Sequence, residues 1–284
     1  MIHNGTQVPN QQSIDPPVAL KTLLYKRDWH QVQFTSHNLD ALVASELQSS
    51  KYLLNVYGYC GTSGIYEFAA GGNLMSVTEN FQSQYTPRIK LELSYNVAHA
   101  IADLHNMAKE GQPVVAHTDI FPDQFVRVRE DTSLTRTSFK LNDFNRGRWI
   151  NLPKANAPSN VTKESCGFTF PRNRGKFRSP EEYMYQLETE KVDVYSMGNI
   201  FYFILTGEFP FEKHSRNTIK SALKAGKRQR IPEEYAKSED PMIQAVVKAI
   251  RMSWIQNPTD RATARQVQHQ LERALRKEGW MADE

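Results

Sequence analysis

The chain has little of what marks several large classes of protein. It holds two cysteines in 284 residues, Cys60 and Cys166, too few for a disulfide framework and without the close spacing of a metal site. Two reduced thiols are therefore expected; a disulfide between them would need an oxidising compartment. No apolar run approaches the roughly 20 residues a membrane-spanning helix requires, and the longest candidate, 200–205, has the length of a buried helix segment. Residues 1–17 are polar and lack the apolar centre of a secretory signal. Charge of one sign is scarce too: 35 Lys and Arg against 31 Asp and Glu leave a net charge of +4. That surplus is small and scattered, which argues against a nucleic-acid partner. The densest basic stretch, 224–230, reads as a solvated loop.

What remains is an ordinary globular composition, 39% hydrophobic and 23% charged with 14 Gly and 14 Pro. The length suits one large domain or two lobes sharing a cleft. Residues 1–17 are expected to be irregular, and 17–24 form a strand-length apolar run. In 37–48, Leu39, Leu42, Val43 and Leu47 fall on one face of a helix. Residues 52–59 and 63–68 predict a hairpin around a Gly-containing turn. After Ala69-Ala70-Gly71-Gly72 the character changes. Ile89, Leu93, Val97, Ile101 and Leu104 predict a long amphipathic helix over 86–106. Short strand-like pieces follow at 114–115, 125–128 and 138–141. Helical patterns then cover 191–205, 241–255 and the stretch from 262 to the end, where Val267, Leu271 and Leu275 form one row. The chain is thus α+β, strand-rich in its first quarter and helix-rich afterwards, with no internal repeat.

Two loops carry the chemistry. Val114-Val115-Ala116-His117-Thr118-Asp119 and, some way on, Lys140-Leu141-Asn142-Asp143 each place an aspartate just beyond a β-type segment, where catalytic groups are usually carried. Phosphoryl transfer needs a carboxylate for the proton of the attacking hydroxyl, a second to hold Mg²⁺, and a cation on the phosphates. Asp119, Asp143 and Lys21 could fill those roles. Alone, a loop aspartate is usually a turn or cap residue and a lysine after a strand is usually solvated; their combination in this order carries the reading.

Over about residues 18–275 the chain resembles the eukaryotic protein-kinase fold. Val18-Ala19-Leu20-Lys21 resembles the family's Val-Ala-Ile-Lys strand, His117-Thr118-Asp119 its His-Arg-Asp, and Asp143-Phe144-Asn145 its Asp-Phe-Gly. Ser179-Pro180-Glu181 stands where Ala-Pro-Glu closes the activation segment. Asp193-Val194-Tyr195-Ser196-Met197-Gly198 looks like the start of the large lobe's central helix, and Pro258-Thr259-Asp260-Arg261 like the late Pro-x-x-Arg. The resemblance implies a two-lobed fold, a small antiparallel-sheet lobe (1–68) and a large helical lobe (69–284), acting with ATP and Mg²⁺ on a protein substrate. Lys21 would bind the α- and β-phosphates, Asp143 and Gln124 would hold metal, and Asp119 would serve the acceptor hydroxyl. Glu67, Ala69 and Asn73 would lie on the nucleotide side, with Tyr66 as gatekeeper. Glu181 would pair with Arg261. The helix partner of Lys21 is either Asp40, if one residue is inserted, or Glu46 about two turns on; Asp40 is the expectation.

The departures matter as much. Thr118 replaces the Arg that clamps a phosphorylated activation segment. Phe121 stands where Ser/Thr kinases carry a Lys near the transferred phosphate, removing one electrostatic contribution. Gln124 replaces a metal-binding Asn, and its extra methylene displaces the amide by about 1 Å, a shift that can cost around a hundredfold in rate. Asn145 replaces a Gly where positive φ is expected, which Asn tolerates. Of a Gly-rich phosphate loop, only Gly5 is available, so the small lobe is either truncated or grips phosphate differently. Arg172, Arg174, Lys176 and Arg178 precede Ser179 and read as a solvated loop, or else as a site for an acidic substrate or phosphate. The leading reading is a protein kinase for Ser or Thr, Tyr being less favoured; the alternative is a pseudokinase, a nucleotide-binding or scaffolding module. A third, a lumenal kinase acting on protein or sugar hydroxyls, rests on the cysteine pair and the Asn4-Gly5-Thr6 and Asn160-Val161-Thr162 triplets. The cytoplasm is the default compartment and the secretory lumen the minor alternative; oligomeric state stays open.

Overall fold

Period-two burial and one tight turn build the small lobe. In the computed structural model, which describes residues 17–23, 31–48, 50–128, 139–150, 167–169 and 177–279, β1 (Val18–Lys21), β2 (Val56–Cys60) and β3 (Ser63–Glu67) form an antiparallel sheet in the order β1-β3-β2. Gly61, at φ +58°, turns β2 into β3, a backbone region open to glycine at no steric cost. Helix α1 (Gln31–Glu46) buries Val43 and Ala44 beside this sheet and starts earlier than its apolar spacing predicts. Gly5, the two Asn-x-Thr triplets, Cys166, Arg172, Arg174 and Lys176 lie outside the described residues. Cys60 is an exposed free thiol.

Residues 52–54, expected as the start of a strand, instead tie the lobes together. Leu54 N–H donates to the Leu141 carbonyl at 3.0 Å, and Leu141 N–H to that of Tyr52 at 2.8 Å. The backbone groups of this stretch thus find partners at Leu141, in the loop-bearing part of the large lobe.

The large lobe opens with α2 (Leu74–Phe81), capped by Asn73, and α3 (Pro87–His105), which starts where Thr86 caps and proline takes the first turn. Four short strands carry the loops of the cleft: β4 (Val115–Ala116), β5 (Phe125–Arg127), β6 (Phe139–Leu141) and β7 (Arg148–Trp149). β5 pairs with β6 (Phe125↔Leu141) and β4 with β7. Helices α4 (Pro180–Met184), α5 (Lys191–Thr206), α6 (Arg216–Lys224), α7 (Glu233–Ala236), α8 (Pro241–Ser253) and α9 (Ala264–Lys277) complete it. α5 is buried continuously from Val192 to Leu205, as a helix apolar on every side must be. It packs on α8 so closely that a Cβ on Gly198 would stand 2.8 Å from the Trp254 ring, while Trp254 Nε1 donates to Asn199 Oδ1 at 2.8 Å. α2 and α6 were not foreseen; α6 buries just Ile219 and Leu223, too few for a period. The basic stretch after α6 is a largely exposed loop, as expected. Among the described residues, no helix is long and apolar enough to cross a membrane. The small antiparallel-sheet lobe and large helical lobe make the two-lobed α+β fold that the resemblance implies.

The expected Glu181–Arg261 pair is present and bidentate, at 2.6 and 3.0 Å, with both side chains almost wholly buried. Arg261 also donates to the carbonyls of Ile255, Gln256 and Lys191, so the ion pair pins the end of the activation segment to the base of the lobe. Removing one partner strands a buried charge, which typically costs 3–5 kcal/mol. Glu181→Ala is expected to lower unfolding free energy by about that amount, read as a lower urea midpoint at an unchanged slope.

Candidate active site

The cleft is organised around Asp40. Lys21, last residue of β1, places Nζ 2.8 Å from Asp40 Oδ2 and 2.5 Å from Asp143 Oδ1. Of the two candidate helix partners it is Asp40, not Glu46, that meets the lysine. The shorter aspartate is served by two further donors: Tyr66 Oη–H at 2.9 Å and the backbone N–H of Phe144 at 2.7 Å. Tyr66 can lean back this way because residue 64 is glycine; a Cβ there would lie 2.5 Å from the tyrosine ring. Burial alone would lower the Lys21 ammonium, but Asp40 and then Asp143 outweigh it and raise its pKa, so the cation persists at neutral pH. Burial first, and then the Asp40 carboxylate, push the Tyr66 phenol upward, keeping it a donor. Phe144 is buried, its ring edge-to-face with His117 at 5.5 Å.

The second loop hangs from α5. Asp193, in the first turn of that helix and 1% exposed, accepts the backbone N–H groups of His117 (2.7 Å) and Thr118 (2.8 Å) and the Nε2 of His105 (2.9 Å). Thr118 sits at φ +62°, an uncomfortable value for a β-branched residue. It is held there by Asp193 and by its own hydroxyl, which donates to the Arg146 carbonyl at 2.8 Å. His117 Nε2 bonds the Asn142 carbonyl at 3.0 Å, joining this loop to the one that bears Asp143. The tight turn brings out Asp119, whose Oδ1 receives Arg178 Nη2 at 2.7 Å; Asp119 Oδ2 has no hydrogen bond among the described residues.

Asp143 is itself in the left-handed region (φ 64°, ψ 63°), and Asn145 donates its side-chain amide to Asp143 Oδ1. This corrects the expectation for Asn145: the positive φ belongs to Asp143, while Asn145 lies in a 3-10 turn spanning Phe144–Arg146. Its amide gives it a contact that glycine could not make. Asn142 donates both N–H and Nδ2 to the Gln124 carbonyl at 2.9 Å, fixing residue 124 beside Asp143, and the Gln124 side-chain amide has no partner among the described residues. The Asp123 carboxyl is pushed up by partial burial first and then by the negative charge of Asp119 and Asp143.

On the nucleotide side, the Glu67 carboxylate is engaged by Lys140 Nζ (2.7 Å) and Asn55, and its backbone N–H donates to the Asn55 carbonyl at 3.0 Å. Ala69 has no backbone hydrogen bond among the described residues. Asn73 Oδ1 accepts the Ser76 N–H at 2.9 Å as the cap of α2, which leaves its amide nitrogen for any ligand. Arg178 also overturns an expectation: it is buried, not part of a solvated loop. Asp193, the Tyr66 hydroxyl and Arg178 were not assigned these contacts from the sequence, because each acts through partners distant in the chain. The late aspartate opening an apolar helix was the one visible signal for Asp193.

Comparison with known proteins agrees with this geometry. The family model described as the protein kinase domain matches residues 10–271. A probable LRR receptor-like serine/threonine-protein kinase of Arabidopsis thaliana is 28% identical over 61% of the chain and 17% of its own length. The serine/threonine-protein kinase RAD53 of Saccharomyces cerevisiae is 27% identical over 67% of the chain and 24% of its own length. A putative serine/threonine-protein kinase/receptor of Acanthamoeba polyphaga mimivirus is 26% identical over 89% of the chain and 14% of its own length. The chain thus spans a quarter or less of these three relatives. The family model covers most of the chain, across the ammonium, both loop aspartates and the Asp193-hung turn, and the chain belongs to the protein kinase domain family.

Proposed function

We propose that this domain transfers a phosphoryl group from ATP to serine or threonine hydroxyls of a protein, with Mg²⁺ as its metal. The observation that carries the reading is the assembled state of the cleft: Lys21 bridges Asp40 and Asp143 while Phe144 is packed and tied to Asp40. A domain freed from catalysis has no need to keep an ammonium between two carboxylates. The serine/threonine preference is supported by the printed names of the relatives.

The donor set fits the cofactors. Asp143 and Gln124 offer hard oxygen ligands, and among the described residues no group of three or more acidic, His or Cys side chains could hold a metal alone. Mg²⁺ is usually held by one or two carboxylates and shared with substrate phosphates, a part that Asp143 with the Gln124 amide could play. Bound ATP and Mg²⁺ would supply the transferable group and the charge that offsets its oxygens. Lys21 would then hold phosphate oxygens, Asp143 and Gln124 the metal, the backbone at Glu67 and Ala69 the base, and Asp119 Oδ2 the acceptor hydroxyl. The competing reading, a nucleotide-binding scaffold, rests on Phe121 and Gln124.

The test is transfer from γ-labelled ATP to generic protein acceptors with Mg²⁺, followed by phosphoamino-acid analysis. Labelled serine or threonine is expected, and Asp119→Asn should lower the rate by about 10²–10⁴-fold, the usual worth of a general base, while nucleotide still raises the melting temperature. Nucleotide stabilisation without any transfer, under Mg²⁺ or Mn²⁺, would favour the scaffold. Tyr66→Phe removes one donor from Asp40 and is expected to raise KM for ATP by about fivefold to tenfold, about 1–1.4 kcal/mol, because Asp40 keeps its other two donors and loses part of the roughly 1.5–3 kcal/mol that a hydrogen bond to a charged group contributes. An unchanged KM would show that the phenol plays no part in setting the lysine.

A further inference from the structure

Phe121 removes the cation that the family places beside its catalytic aspartate, yet Asp119 is not left without one. Arg178 Nη2 lies 2.7 Å from Asp119 Oδ1, and Nη1 of the same guanidinium donates to the Thr118 carbonyl at 2.6 Å. Among the described residues the nearest other cation, Arg146, stands 3.9 Å away, beyond hydrogen-bond range. The Arg178 side chain is 9% exposed, so its pair with Asp119 is shielded as surface pairs are not.

The residue that lost the charge helps to place its replacement. The Phe121 ring meets Phe177 edge-on at 4.7 Å and stacks on Phe209 at 5.7 Å; Phe209 in turn stacks on Phe203 of α5 at 4.4 Å. Phe177 immediately precedes Arg178, and its carbonyl accepts Ser196 Oγ–H of α5 at 2.6 Å. A lysine at 121 could not join this aromatic cluster. The Arg178 backbone is thus held by the Ser196 bond and by the packing of Phe177 on both Phe209, at 5.0 Å, and Phe121, and its fork is completed by Glu182 Oε1 at 3.4 Å.

We infer that Arg178 is a positioning residue for phosphoryl transfer: it supplies from the activation segment the positive charge that Phe121 displaces, and holds Asp119 with Oδ1 occupied and Oδ2 facing the acceptor. In the step it serves, the acceptor oxygen forms its bond to phosphorus as the bond to the leaving phosphate oxygen breaks, and the hydroxyl proton passes to Asp119. Arg178 touches neither reactant. The inference rests on the proposed kinase reading and deepens it.

The experiment has two arms on the full chain. A thermal-melt cycle of Arg178→Met, Asp119→Asn and the double variant tests the pair without any activity: the effect of Asp119→Asn is expected to shrink toward zero once Arg178 is gone, as coupled residues require. Steady-state kinetics then tests the role. Arg178→Met should lower kcat at least about tenfold, as loss of a preorganised charge does, with KM for ATP unchanged within about threefold. Additive melting shifts would overturn the inference, as would an unchanged kcat in Arg178→Met or a KM for ATP that rises as kcat falls, which marks a structural anchor. If the unmodified chain transfers nothing, the kinase reading fails and the positioning role with it, whereas coupled melting shifts would leave the ion pair standing as a lock on the segment.

Discussion

The buried carboxylate of Asp193 is what the cleft depends on. Two consecutive backbone N–H groups of the catalytic loop end on it, and the second belongs to Thr118, held at a positive φ. Such a conformation costs of order 1–3 kcal/mol and persists only where its surroundings over-determine it. The over-determination is visible: Asp193 on one side, the Arg146 carbonyl under the Thr118 hydroxyl, and Arg178 on the Thr118 carbonyl. Because α5 is buried along its length, this carboxylate is fixed to an element packed on every side. The position of Asp119 follows from it.

Around that anchor, most departures from the family pattern are met by a neighbour. Asp40 is one methylene shorter than glutamate, and the Tyr66 hydroxyl and Phe144 N–H bind it while Lys21 still reaches it. Asn145, in place of glycine, turns its amide onto Asp143. Phe121, in place of lysine, joins an aromatic cluster whose next residue is the buried arginine on Asp119. Gln124 alone has no such counterpart among the described residues, and its amide is the group with freedom to adjust. A buried site tolerates exchanged residue types when charge and hydrogen-bond capacity are conserved across the site, since unpaired groups there are costly.

The two ion-pair systems differ in kind. Glu181–Arg261 is bidentate and sealed from solvent, a structural clasp at the base of the lobe. Lys21–Asp143 is about one-third exposed at both ends, so it faces solvent and can exchange partners. Shielding makes the first expensive to break, and exposure leaves the second able to accept a ligand.

Much of this protein was determined by local pattern. The spacing of Ile89, Leu93, Val97, Ile101 and Leu104 required an amphipathic helix, and Thr86 with Pro87 marked its start, since capping and period are local properties of a backbone. The order of Lys21, Asp119 and Asp143 named the chemistry for the same reason: motifs are short. The conformation of Asn145 and the burial of Arg178 were misread, and the bonds of Tyr66 and Asp193 went unseen. The last three turn on partners far away in the chain, such as Asp119 and Arg178 separated by 59 positions, whereas Asn145 answers to the local turn that puts Asp143 in the left-handed region. Which charge meets which is settled by packing of loops on α5 and of α1 on the sheet. Only the folded chain brings those surfaces together, and periodicity holds no record of contacts at that range.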